Sequence, residues 1–153
     1  MWIYKNRQLN SIEDFPENSY GFVYKVTHIP SNICYIGKKV LFFNRTKKRT
    51  KKEIALLKEE KKRKGQRVYV SPTKKEKKES DWKTYYGSQK EIKDLVSKRD
   101  LSEFKREILE VVPNKKLLTY FEMKYLFKEG VIEPKSTYLN DNIAGKFFRK
   151  DFE

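Results

Sequence analysis

The sequence predicts an α+β fold: a small, mostly antiparallel three-stranded sheet flanked by helices, with an N-terminal edge strand and a basic helical insertion. Three observations predict it. A strand–turn–strand pattern occupies residues 20–37, a further strand and helix pattern occupies residues 104–129, and a lysine-rich stretch covers residues 44–80. We expect residues 1–153 to form a single domain that contains the 44–80 insertion, because this length suffices for one hydrophobic core.

The first elements are a short edge strand and a hairpin. Trp2-Ile3-Tyr4 has the composition of a strand and precedes a polar turn. Residues 20–26 and 33–37 are rich in aromatic and β-branched residues, and Pro30-Ser31-Asn32 between them is typical of a turn. We therefore expect two antiparallel strands here.

Two tyrosines eleven residues apart occupy this hairpin. If the hairpin is symmetric about its turn, Val26 pairs with Ile33 and Tyr24 lies opposite Tyr35. Residues directly opposite each other in an antiparallel pair project from the same face. The sequence thus predicts two phenols side by side, either packing a core or taking part in chemistry.

The composition changes sharply at residues 44–80, which hold 16 lysines and arginines against 5 glutamates, a surplus of +11 within the chain's +15. Thr50 and Glu53 have the spacing of a capping box, so we expect a basic helix from about Lys51 to Lys64. A short strand at Arg67–Val70 should follow. A solvated, partly disordered insertion is the alternative.

Ordinary composition returns after the insertion. Ser88 and the residues after it predict a second capped helix that ends near Lys98. Phe104–Val112 predicts the third strand, and Asn114 is the expected cap of a helix that runs to about Glu129. A final extended segment is expected over Thr137–Ala144.

These elements carry a recognisable set of residues in a fixed order. Phe22-Val23-Tyr24, then Tyr35-Ile36-Gly37, and then further polar residues downstream resemble the signature of the GIY-YIG nuclease superfamily, although Phe22 stands where glycine is usual. The resemblance covers roughly Gly21 to Ala144. It is greatest to stand-alone phage endonucleases and to the nuclease domain of phage homing endonucleases. It implies five catalytic residues: Tyr24, Tyr35, Arg45, Glu122 and Asn142.

The resemblance also implies their roles. Glu122 would hold one Mg²⁺, with Mn²⁺ as a substitute, and one carboxylate suffices because Mg²⁺ keeps most of its waters. One phenol would orient or deprotonate the attacking water. Tyr24 is preferred over Tyr35 as this base, although a phenol of pKa about 10 then needs a nearby cation, such as Lys39 or Arg45, to lower its pKa.

The remaining roles have rivals. The resemblance places a helix after the hairpin, with Arg45 as the phosphate-binding arginine and with Arg49 and Lys39 as its close rivals. Asn142 would fix the geometry near the phosphate, with Asn140 as the alternative. Tyr86 would lie near the scissile phosphate.

The charge predicts the partner. A formal net charge of +15 indicates a polyanion, and we expect DNA. No stretch is apolar enough to span a membrane, and Cys34 is the only cysteine, so we expect an intracellular, cytoplasmic protein. The resemblance to phage endonucleases implies a phage-infected bacterium as its host. A homodimer or a targeting protein is a possible partner, and an inactive DNA- or RNA-binding protein is the rival function. The expected DNA contacts are Lys38, Lys39, Lys47, Lys48, Arg49, Lys51, Lys52 and Tyr86.

Overall fold

A five-stranded mixed sheet forms the centre of the first of two compact units in the computed structural model, which describes residues 1–153. This unit comprises residues 1–41 and 81–153, and the second comprises residues 42–80. In chain order, the elements are β1 (Trp2–Tyr4), β2 (Arg7–Leu9), β3 (Gly21–His28), β4 (Ile33–Val40), β5 (Phe42–Lys48), α1 (Lys51–Arg63), β6 (Thr73–Glu79), α2 (Lys90–Lys98), β7 (Phe104–Val112), α3 (Lys115–Lys128), β8 (Asn142–Ile143) and β9 (Phe147–Phe148).

The strand order in the large sheet is β2-β1-β7-β3-β4. The predicted α+β class is confirmed, with the three expected strands β3, β4 and β7 adjacent to one another. The sheet is larger than expected, because β1 pairs in parallel with β7 and β2 adds a further strand. The edge therefore belongs to β2 and not to the N-terminal strand β1.

The hairpin is longer than the sequence suggested. His28 pairs with Ile33, and Tyr35 lies opposite Val26, so the predicted pairing of Val26 with Ile33 is wrong by two residues. The physical reason is that β3 continues to His28 before the turn. Since side chains alternate with a period of two, this slip preserves the face. The two phenols still share one face, with Tyr24 opposite Gly37.

The two faces of the sheet bury different side chains. Helix α3 covers one face, where its Leu118 and Leu126 pack with Val23 and Ile36 of the hairpin. The other face is aromatic, and its buried rings are Trp2, Phe15, Phe22, Tyr24 and Trp82.

The caps of the later helices were only partly predictable. Asn114 accepts a hydrogen bond from the Leu117 amide at the start of α3, which confirms the predicted cap. Helix α2 begins later than expected, with Gln89 as its N-cap and no side-chain capping bond. The predicted Ser88 cap is therefore wrong. The final segment is mostly irregular and contains only the short strand β8 and a bridge between Tyr138 and Cys34.

The second unit is a two-stranded antiparallel ribbon, β5 with β6, joined through helix α1. The capping box of Thr50 and Glu53 is present, as predicted. The predicted strand at Arg67–Val70 is wrong, because β6 lies further on at Thr73–Glu79. The helix implied after the hairpin is also absent, since Phe42–Lys48 is extended and pairs with β6. No helix in the chain has the length and apolar character needed to cross a membrane.

Candidate active site

A cleft of about 420 Å³ lies beside β4, the last strand of the large sheet. Strand β4 contributes Tyr35 and Lys38 to its lining, and α3 contributes Glu122. The entry to α2 and the segment that leads into β8 complete the wall, chiefly with Ser88, Gln89, Asn140, Asp141 and Asn142. Residues from four separate parts of the chain therefore surround one open cavity.

The expected convergence of a phenol and a carboxylate occurs here. Tyr35 projects from the aromatic face of the sheet, whereas α3 packs on the opposite face, and both reach the same cleft around the edge of β4. The negative charge of the nearby Glu122 carboxylate contributes to the raised pKa of the Tyr35 phenol and to that of the Tyr24 phenol. The carboxylate and both phenols thus share one electrostatic environment.

Tyr24 lies behind the cleft. It is 1% exposed and is not among the cleft-lining residues. Its phenol crosses Gly37 of β4, and its ring meets that of Tyr85 edge-on at 5.8 Å between centroids. Burial raises the pKa of Tyr24 well above its usual value, and the neighbouring phenols of Tyr85 and Tyr35 raise it further.

The cation expected to lower that pKa is engaged elsewhere. Lys39 binds the Asp81 carboxylate at 2.5 Å and lies 3.8 Å from the centre of the Tyr85 ring. It is 9% exposed, so its ammonium group belongs to the edge of the aromatic core. The direction of the Tyr24 pKa shift is therefore the reverse of what the sequence led us to expect.

Tyr35 has the more direct access to the cleft. Burial raises the pKa of its phenol, and a hydrogen bond with the Ser88 hydroxyl opposes that increase. The ring is only partly buried and lines the cavity. This geometry favours Tyr35 over Tyr24 for direct contact with water or phosphate.

Glu122 forms an ion pair with a neighbour in the cleft. The Lys38 ammonium lies 2.7 Å from Glu122 Oε2 and also donates a hydrogen bond to the Thr119 hydroxyl. The two side chains are 39% and 21% exposed, so water reaches the pair and weakens the attraction between its charges. Lys38 is the one lysine or arginine among the cleft-lining residues.

The oxygen donors around this pair fit a hydrated cation better than a protein-only cage. No group of three or more His, Cys, Asp or Glu side chains is arranged to hold a metal ion. Asp141 lines the same cleft as Glu122, and the Gln89 amide oxygen is buried beside it without a hydrogen-bond donor. A buried acceptor of this kind is normally satisfied by water or a ligand. The donor set therefore suits Mg²⁺, which prefers oxygen ligands and retains its waters.

The two asparagines have different tasks. Asn140 is buried and clamps the backbone of β4: its Oδ1 accepts from the Ile36 amide at 3.0 Å and its Nδ2 donates to the Ile36 carbonyl at 2.8 Å. Asn142 instead donates to Asp141 and accepts from the Gly145 amide. Asn140, the alternative residue, is thus the one that fixes the strand between Tyr35 and Gly37.

The remaining predicted contacts lie outside the lining of this cleft. Tyr86 packs beneath the Arg106 guanidinium, 4.3 Å from the ring centre, and against Phe104. Arg45 is exposed on β5 of the second unit, where it pairs with Glu76 across the ribbon. Arg49 donates to the backbone carbonyls of Ser71 and Thr73, and the exposed lysines of that unit are Lys47, Lys48, Lys51 and Lys52.

Sequence reasoning missed three residues of the site. Tyr85 contacts Tyr24, and Ser88 acts on the Tyr35 phenol instead of capping α2. Asp141 was overlooked although it adjoins Asn142. Only Asp141 could have been found from the sequence, because it stands next to the predicted Asn142. Tyr85 could not have been chosen over Tyr86, because the directions of these two side chains depend on a turn that sequence patterns do not specify.

Gly37 carries a testable consequence of this packing. A Cβ at this position would lie 2.5 Å from the Tyr24 hydroxyl and 3.1 Å from Tyr35 Cε1. We therefore expect Gly37→Ala to displace both phenols, to lower the unfolding free energy by about 1–3 kcal/mol and to reduce any nuclease activity at least tenfold. Thermal unfolding and plasmid cleavage measure the two effects.

Gly65→Ala is the matched control. Gly65 has φ +66° but no neighbour within 4 Å of an added Cβ, so only the conformational cost remains, about 1 kcal/mol. Unchanged cleavage by Gly37→Ala would show that the phenols do not need their present positions.

A comparison with known families identifies the chain's relatives. Residues 2–143 match the family model described as "Putative endonuclease segE, GIY-YIG domain". Neither the curated proteins nor the solved structures include a match. The matched range contains both tyrosines of the hairpin, the whole second unit, α3 and the strand β8.

Proposed function

Because the chain belongs to the GIY-YIG endonuclease-domain family described by this model, we propose that it hydrolyses phosphodiester bonds of duplex DNA in a reaction that depends on Mg²⁺. Mn²⁺ should substitute. The observation that carries the proposal is the cleft in which Tyr35, Lys38 and Glu122 meet. A phenol can act on the attacking water, a cation can stabilise charge on the phosphate, and a carboxylate can hold a metal ion, so the three groups suit phosphodiester hydrolysis.

The two hairpin phenols have different roles in the proposed reaction. Tyr35 contacts the attacking water, and Tyr24 supports it from behind through the shared packing at Gly37. Both phenols have raised pKa values, so the phenolate form is scarce at neutral pH and increases tenfold with each pH unit. Activity should consequently rise with pH over the neutral range.

Glu122 and Lys38 respond together to substrate. Glu122 would hold Mg²⁺, which when bound neutralises charge on the phosphate and on the departing 3′ oxygen. Lys38 pairs with Glu122 in the same cleft, and its ammonium group would be available to contact a phosphate oxygen when Glu122 holds the metal. Lys38 thus takes the role in the cleft that the sequence suggested for Arg45. Asn140 keeps β4 in place while these contacts change.

The target and the assembly belong to the same proposal. Phosphate contacts carry little sequence information, so a chain this rich in lysine should show low or short-site specificity. A single cleft cuts one strand at a time. Double-strand cleavage would then need a homodimer, a second encounter or a targeting partner.

Supercoiled plasmid provides the direct test. We expect the chain to convert plasmid to the nicked form in Mg²⁺ and to leave it intact in EDTA, with activity restored by Mn²⁺. Gel analysis of the plasmid forms over time measures this. Cleavage that continues unchanged in EDTA would contradict the metal requirement.

The rival function is nucleic-acid binding without catalysis. The ion pair of Lys38 with Glu122 favours this rival, because the Glu122 carboxylate already has a cationic partner and does not need a metal ion. An intact plasmid in Mg²⁺, together with salt-sensitive DNA binding, would support this rival and exclude the nuclease.

A further inference from the structure

One face of the β5–β6 ribbon is a continuous row of basic and hydrogen-bonding side chains. The ladder has no bulge, and alternation places four cross-strand pairs on this face. Phe42 with Glu79 lies at one end, and the three pairs beyond it are Asn44 with Lys77, Thr46 with Lys75 and Lys48 with Thr73. Each of these three pairs joins one lysine to one neutral residue that can donate and accept hydrogen bonds. We call these six residues the ribbon face.

The six residues of the ribbon face include no carboxylate, and Glu79 lies at the end of the same side of the ribbon, whereas the opposite side holds two ion pairs. There, Lys47 lies 3.6 Å from Glu76, and Lys74 binds Glu53 of α1 at 2.7 Å. The three lysines of the ribbon face have no ion-pair partner in the structure: Lys48, Lys75 and Lys77. Helix α1 approaches the ribbon from the Lys74 side, so the ribbon face stays uncovered.

Lys75 and Lys77 lie two residues apart on one side of β6 and repel each other, and neither forms an ion pair. A polyanion removes this repulsion, and each lysine that binds a phosphate releases condensed counterions. The major groove of B-form DNA is about 12 Å wide and admits a two-stranded β-ribbon. The neutral members of the ribbon face suit base edges, while its lysines suit the flanking phosphates.

We propose that the ribbon face enters the major groove of duplex DNA and is the principal DNA-binding surface of the second unit. This inference rests on the proposed function for the identity of the polyanion. It differs from the contacts expected from the sequence, which include Lys51 and Lys52 of α1. Lys48 alone is common to the ribbon face and the contacts expected from the sequence.

Two matched triple variants of the full chain test the surface. The first neutralises the ribbon face with Lys48→Gln, Lys75→Gln and Lys77→Gln. The second neutralises three exposed lysines of α1 with Lys52→Gln, Lys58→Gln and Lys62→Gln. Both remove the same charge from the same unit, and all six side chains are exposed, so folding should persist and circular dichroism checks it.

Binding to a short random-sequence duplex is measured in EDTA at several salt concentrations. We expect the ribbon-face variant to lose at least tenfold in affinity and to lower the slope of log K against log salt by about 2–3, roughly 0.9 per lost phosphate contact. The α1 variant should lose less than about threefold, with its slope nearly unchanged. Equal losses for the two variants would overturn the proposal.

The groove is tested with competitors and with RNA. Methyl green, which occupies the major groove, should displace the chain, and netropsin, which occupies the minor groove, should not. Duplex RNA should bind more weakly, because its major groove is too narrow for a ribbon. Equal affinity for duplex RNA, or displacement by netropsin alone, would overturn major-groove binding. Stronger retention on phosphatidylserine vesicles than on DNA would overturn DNA as the partner.

These outcomes are separate from those of the nuclease proposal. If the chain binds DNA through the ribbon face but nicks no plasmid, the nuclease proposal fails and the ribbon-face proposal stands. If the chain nicks plasmid and the ribbon-face variant binds as tightly as the α1 variant, the ribbon-face proposal fails alone.

Discussion

Replacing Glu122 with glutamine should abolish Mg²⁺-dependent cleavage while leaving the fold and the DNA affinity intact. Glu122 is the carboxylate that meets Lys38 in the cleft and is electrostatically coupled to both phenols. Glutamine keeps the shape of the side chain but removes the negative charge that attracts a divalent cation. The lost stabilisation is several kcal/mol, which corresponds to at least a thousandfold in rate at about 1.4 kcal/mol per factor of ten.

Glu129→Gln is the matched control for this prediction. Glu129 ends α3 outside the cleft, where it accepts a hydrogen bond from the Tyr138 phenol, and glutamine can still accept it. Single-turnover cleavage and DNA binding are measured for both variants. If Glu122→Gln retains more than about a third of the wild-type rate, the carboxylate is not part of the chemistry.

The two hairpin phenols should act as one unit. Tyr24→Phe and Tyr35→Phe each remove a hydroxyl group but keep the ring packing, so we expect each to lower the cleavage rate by about a hundredfold or more. Because both phenols meet at Gly37, the double variant should cleave DNA only slightly more slowly than the slower of the two single variants. The rate of wild-type cleavage should rise between about pH 6 and pH 9, because the pKa of each phenol lies above this range and the phenolate fraction increases with pH.

The pH profiles of the two single variants identify the base, since its loss alone flattens the rise. Tyr86→Phe serves as the control, because Tyr86 packs against Arg106 outside the cleft lining. Wild-type cleavage by both Tyr24→Phe and Tyr35→Phe would remove the phenols from the mechanism.

The sequence was most informative where local signals fix local structure. Asn114 caps α3 through its own neighbours, and the Thr50–Glu53 box does the same for α1, so both helices were predictable. The face of the sheet that the two hairpin tyrosines share was also predictable, because a register error of two residues leaves Tyr24 and Tyr35 on one face.

Long-range pairing produced the errors. The sequence of strand β6 is TKKEKKE. Thr73 is its only β-branched residue and it has no alternation of apolar and polar residues, so its composition does not predict a strand. It is extended because it pairs with β5. The ion pair between Lys38 and Glu122 likewise joins distant parts of the chain. Asn140 and Asn142 are two residues apart, and only the fold shows which one clamps β4.

The central claim is that Glu122 and the hairpin phenols serve one phosphate in the cleft beside β4. A crystal structure of the chain with a short duplex and Ca²⁺, which takes the same oxygen ligands without supporting rapid cleavage, tests it most directly. We expect the ion on Glu122, Lys38 moved from Glu122 to a phosphate oxygen, and the Tyr35 hydroxyl about 3 Å from a water or phosphate oxygen. An intact Lys38–Glu122 pair, with the DNA backbone bound outside the cleft, would contradict the claim.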